Sequence, residues 1–118
     1  MRRLGLIGMV LLAPASPAFA HAFMERASPP VGSEVGSSPP ELSITFTEAV
    51  EPLFSTIEVR DPSGTAIAAG KPHSAPGNDR RLVIDLPKLP PGNYTVIWHA
   101  TSVDTHKTEG RYQFTVTH

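Results

Sequence analysis

Five short runs in this sequence alternate apolar and polar residues with a period of two, which suits half-buried strands and not amphipathic helices. Leu42, Ile44 and Phe46 alternate with Ser43, Thr45 and Thr47 in 41–47, and Ile57 and Val59 alternate likewise in 55–60. Leu82, Ile84 and Leu86 share a face in 82–86, Tyr94, Val96, Trp98 and Ala100 in 94–101, and Tyr112, Phe114 and Val116 in 110–117. No apolar set holds the helical spacing over a dozen residues. Turn-forming residues fall between the runs: Pro29-Pro30, Pro39-Pro40, Asp61-Pro62-Ser63-Gly64, 75–79 and Pro90-Pro91-Gly92. The pattern predicts an all-β sandwich of about seven short strands. Tyr94, just inside a strand after a Pro-Gly turn, fits either an ordinary strand-edge residue or a tyrosine corner, whose hydroxyl bonds backbone upstream.

The first twenty residues stand apart. Met1-Arg2-Arg3 is a basic start, 4–12 is a short apolar run and Ala18-Phe19-Ala20 is a small-x-small cleavage signal, together the signature of a secretory signal peptide. Pro14, Ser16 and Pro17 break the run well before the roughly 18 apolar residues that a membrane span needs. Arg2-Arg3 leaves both general and twin-arginine export open. Cleavage after Ala20 leaves a single domain, 21–118, beginning at His21.

That domain carries 8 Lys and Arg against 11 acidic residues, a net charge of about −3 with histidine neutral, and offers no basic face for nucleic acid. It has no Cys, which excludes disulfides and thiolate metal or redox chemistry. No nucleophile elbow, Gly-rich phosphate loop or His-x-x-x-His pair occurs, so nothing in the chain points to an enzyme of those types.

Five histidines remain: His21, His73, His99, His106 and His118. A chain-terminal histidine can grip one ion with both its α-amino group and its imidazole, since a terminal amine titrates near 7.7–8.0, far below lysine. Most termini, however, are frayed and solvated. Asp104-Thr105-His106 lies between the two strongest strands, and in an extended segment its carboxylate and imidazole would project to one face. By itself the triplet reads as a polar turn. With His21 it would complete a set of three nitrogens and one oxygen, which suits Cu(II). Asp104 then serves either as a ligand or as an outer residue orienting one. His73 reads as a solvated loop residue, and His99 and His118 receive no role.

His21-Ala22-Phe23 leading to Ala27-Ser28-Pro29-Pro30, the stretch 42–52 with Phe46-Thr47-Glu48, the stretch 91–98 and Ser102-Val103-Asp104-Thr105-His106-Lys107 together resemble the CopC family of periplasmic copper-binding proteins. The resemblance covers nearly all of 21–118. It implies a Greek-key β-sandwich or barrel of cupredoxin-like or immunoglobulin-like type. It also implies one Cu(II) held by the amine and imidazole of His21 with Asp104 and His106, and places Glu48 beside the copper as an outer partner. Some members bind Cu(I) through a Met-rich loop, but only Met24 survives cleavage, so no separate Cu(I) site is expected. The implied role is a monomeric periplasmic carrier or buffer in copper resistance, without turnover, partnered by a CopD-type inner-membrane protein or a multicopper oxidase. Two rivals stand beside it. One is a histidine-brace copper oxidase of the lytic polysaccharide monooxygenase kind, and the other is a plain immunoglobulin-like module with incidental histidines.

Overall fold

The computed structural model describes residues 22–118; the expected signal peptide and His21 lie outside the described residues. Within them the chain forms nine strands and one 3-10 turn. The strands are β1 (Met24–Ser28), β2 (Glu34–Val35), β3 (Glu41–Phe46), β4 (Thr56–Arg60), β5 (Ala66–Gly70), β6 (His73–Ala75), β7 (Asn78–Asp85), β8 (Gly92–Thr101) and β9 (Lys107–Val116), with the turn at Pro52–Phe54.

Two sheets result, a four-stranded one in the order β1-β3-β7-β6 and a five-stranded one in the order β2-β9-β8-β4-β5. All pairings are antiparallel except β2 with β9. The five strands anticipated from alternation are β3, β4, β7, β8 and β9, every one of them interior to its sheet. The four that were not anticipated, β1, β2, β5 and β6, are the sheet edges. An edge strand has a neighbour on one side only and buries less, so selection for alternating apolar residues is weaker there. β2 and β6 are also only two and three residues long. The count of about seven is therefore corrected to nine, while the all-β sandwich stands.

Leu42, Ile44 and Phe46 from one sheet meet Ile57, Val59, Val96, Trp98, Phe114 and Val116 from the other in one core. Burying such side chains is the main stabilisation open to a chain without disulfides, at about 1.5–3 kcal/mol each. Phe46 packs edge-on against Trp98 at 5.1 Å, and Tyr94 against Phe114 at 5.7 Å. Gly110 lies opposite Trp98 in the β8–β9 ladder, and a Cβ there would stand 2.6 Å from the indole. Ser43 and Thr45, placed on the open face of β3 by alternation, are buried too. β1 and β7 flank the strand on both sides, and Arg81 reaches over to donate to Ser43 Oγ at 3.2 Å.

The tyrosine corner is present. Tyr94 Oη donates to the Pro90 carbonyl at 2.5 Å, and burial, with a smaller contribution from Asp61, raises its pKa. It fastens the turn before β8 at the end of the sandwich opposite the β8–β9 hairpin.

Candidate metal centre

The β8–β9 ladder pairs ten residues from each strand, from Gly92 opposite Val116 to Thr101 opposite Lys107. Beyond Thr101 the chain must reverse. Ser102 N–H donates to the His106 carbonyl at 2.9 Å, and Thr105 N–H donates to the Ser102 carbonyl at 2.8 Å. The loop is thus Val103-Asp104-Thr105, a turn followed by a left-handed residue, Thr105 at φ 73°. A β-branched residue there costs about 1–3 kcal/mol, a strain the surrounding hydrogen bonds must hold in place.

This corrects the extended geometry expected for 104–106. Asp104 and His106 do face one another, but through the reversal of the turn. His106 Nδ1 stands 3.2 Å from Asp104 Oδ2, with both side chains about half exposed, at 50% and 46%. The Ser102 hydroxyl, at a residue only 1% exposed, donates to Asp104 Oδ1, and the His106 backbone N–H approaches the same oxygen at 3.4 Å. The Ser102 hydroxyl, and then the imidazole and backbone N–H of His106, hold the Asp104 carboxyl below its usual range. A carboxylate so held stays ionised in mildly acidic water, beside a half-exposed imidazole.

Neighbouring segments converge on this hairpin. Ala22, which directly follows His21, is fully buried, and the Thr108 hydroxyl donates to its carbonyl at 2.6 Å across 86 positions of sequence. Phe23 N–H donates to Thr47 Oγ1 at 3.0 Å, and Thr47 N–H returns a bond to the Phe23 carbonyl at 2.9 Å. The segment after β3 is fastened as well, since Val103 N–H donates to the Ala49 carbonyl at 3.1 Å and Glu51 N–H to the Thr101 carbonyl at 2.8 Å. Ser55 Oγ and Thr101 Oγ1 then tie the 3-10 turn to the end of β8.

Of the residues anticipated as ligands, the structure brings Asp104 and His106 together, and His21 lies outside the described residues. Glu48 is half-buried in the bend after β3, between Thr47, whose N–H bonds the Phe23 carbonyl, and Ala49, whose carbonyl accepts from Val103. Among the described residues no group of three His, Asp or Glu side chains converges, so Glu48 completes no cluster with the pair. The pair supplies one nitrogen and one oxygen donor, half of the set inferred for Cu(II), and its chemistry fits that ion. His73 is not a loop residue: it begins β6, exposed, opposite Val83. His99 pairs across the ladder with Glu109, Nε2 to Oε1 at 3.1 Å, and His118 Nδ1 lies 3.1 Å from Thr117 Oγ1. Ser102, Thr108 and Thr47, which do the fastening, had no signal of their own in the sequence.

The model of the CopC domain matches residues 24–117. A protein named YobA from Escherichia coli K12 is 34% identical over 99 residues, covering 83% of this chain and 80% of that one. The crystal structure of CopC from Methylosinus trichosporium OB3b superposes with a TM-score of 0.79 at 34% identity, covering 82% of this chain and 94% of that one. PcoC from Escherichia coli, described as a methionine-rich copper resistance protein, superposes with a TM-score of 0.74 at 30% identity, covering 83% and 100%.

Proposed function

This chain belongs to the CopC family, and from that premise we propose that it is a periplasmic carrier or buffer that holds one Cu(II) ion without turning anything over. The observation that carries the reading is the Asp104–His106 pair, 3.2 Å apart, in a hairpin whose next strand holds the carbonyl of Ala22. Removal of residues 1–20 makes His21 the new terminus, one peptide unit from Ala22. Consecutive Cα atoms are about 3.8 Å apart, so the chain that His21 would begin is anchored to β9 at its second residue, Ala22. The amine and imidazole of His21, the His106 imidazole and the Asp104 carboxylate form a compact set for Cu(II). The ion contributes positive charge that draws these four donors together, and the carboxylate offsets part of it.

Glu48 stands outside the ligand set, as a half-buried residue in the bend after β3 whose carboxylate adds negative potential. Met24 is the single methionine of 21–118, which supports an oxidised-copper site without a separate Cu(I) site. The copper so held is passed to a CopD-type inner-membrane protein or to a multicopper oxidase, or is kept sequestered.

The test is a Cu(II) titration of residues 21–118 followed by fluorescence. Trp98 is the chain's one tryptophan, four residues before Ser102 on β8, about 13 Å along the strand. Quenching that saturates at one equivalent, and is lost in His106→Ala, is the expected result. Full quenching in His106→Ala would refute the site.

A further inference from the structure

A buried hydroxyl that touches the candidate metal pair belongs to neither member of it. We propose that Ser102 is a positioning residue of this centre: its hydroxyl, bonded to Asp104 Oδ1, fixes the carboxylate so that Oδ2 alone is presented to the ion. This rests on the copper reading given above and adds the residue that sets the orientation of its oxygen donor.

Three observations carry it. Ser102 is 1% exposed, and as the last residue before the loop its backbone is pinned on both sides, by its own N–H to the His106 carbonyl and by Thr105 N–H to its carbonyl. Its side chain therefore starts from a fixed point. The hydroxyl has one proton and meets Asp104 Oδ1, with the His106 carbonyl at 3.2 Å as a second acceptor. Asp104, by contrast, is on a three-residue loop with its side chain about half exposed. The bond from Ser102 and the backbone N–H of His106 both address Oδ1. Oδ2 is left on the imidazole side, 3.2 Å from His106 Nδ1. Groups that orient a metal ligand are typically worth about 10–100-fold in metal affinity.

The experiment is a double-mutant cycle on residues 21–118, read by Cu(II) competition titration and by the paramagnetic resonance spectrum of the Cu(II) form. Ser102→Ala is expected to lower Cu(II) affinity about tenfold and to alter the spectrum, while Ser102→Thr, which keeps the hydroxyl, stays within about threefold. In an Asp104→Ala background, Ser102→Ala should change affinity less than twofold, because the group it orients is gone. Circular dichroism of the metal-free forms separates loss of fold from loss of orientation. Wild-type affinity and spectrum in Ser102→Ala would overturn the proposal, as would an equal loss in the Asp104→Ala background or in both Ser102→Ala and Ser102→Thr. Failure of the unmodified protein to bind Cu(II) would instead sink the copper reading itself.

Discussion

Gly110→Ala tests the packing that carries the hairpin. The added methyl would lie 2.6, 2.8 and 3.0 Å from three atoms of the Trp98 indole, against the roughly 3.5–4.0 Å of a comfortable carbon contact. The ring has little room to retreat, because it is 5% exposed and already meets Phe46 edge-on at 5.1 Å. Overpacking of this kind costs about 1–3 kcal/mol. Replacing glycine by alanine also removes freedom from the unfolded chain and returns about 0.4–1 kcal/mol. The balance is a destabilisation of about 1–2 kcal/mol, or a fall in Tm of about 4–16 °C for a domain of this size. Thermal unfolding followed by circular dichroism measures it, with Gly36→Ala as the control, since nothing lies within 4 Å of a Cβ there. If Gly110→Ala melts with the unmodified protein, the indole does not lie on Gly110 and the register of β8 on β9 is wrong.

Three further outcomes concern the metal. Thr108→Val keeps the shape of the side chain and removes the hydroxyl that holds the Ala22 carbonyl. One net hydrogen bond of about 0.5–1.5 kcal/mol corresponds to a two- to twelvefold fall in Cu(II) affinity, with recovery in Thr108→Ser. Unchanged affinity in the valine variant would show that the tether does not position the terminus. Affinity should also fall as pH drops from 8 to 5, because imidazoles and terminal amines ordinarily titrate between about 6.5 and 8 and protons compete with the ion for nitrogen. Asp104 adds nothing to that slope: its carboxyl is held below the usual value of 3.8, so its contribution is complete above that value and is lost as pH falls through the lowered one. Asp104→Asn should weaken binding at pH 7 and above, where its carboxylate is the oxygen donor lost, measured by competition titration. Unchanged affinity would refute the assignment.

The interior of both sheets was legible because a central strand buries one face along its whole length, and Leu42-Ser43-Ile44-Thr45-Phe46 or Tyr94 to Ala100 writes that burial as a period of two. The edges were not, since β1 and β5 carry little alternation and β2 and β6 are too short to show any. Asp104 and His106 were legible as a pair for a reason that proved incomplete. A left-handed loop position is ordinarily marked by Gly or Asn, and Thr105 hides it, so the segment read as extended. Two routes, extended chain and tight turn, bring residues two apart to one side, and the conclusion outlived the wrong route. Thr108 and Ala22 are 86 positions apart, and no local pattern announces a bond between a hydroxyl and a distant carbonyl. Family resemblance carried the copper reading; the fold supplied the fastening.

The central claim is that His21 binds as a chain terminus, through amine and imidazole together. The most direct measurement compares Cu(II) affinity of residues 21–118 with that of the same chain bearing one extra residue ahead of His21, by competition titration at pH 7. The account predicts a loss of orders of magnitude, because the amine is moved away while the imidazole, Asp104 and His106 all remain. Equal affinity for the two chains would contradict it.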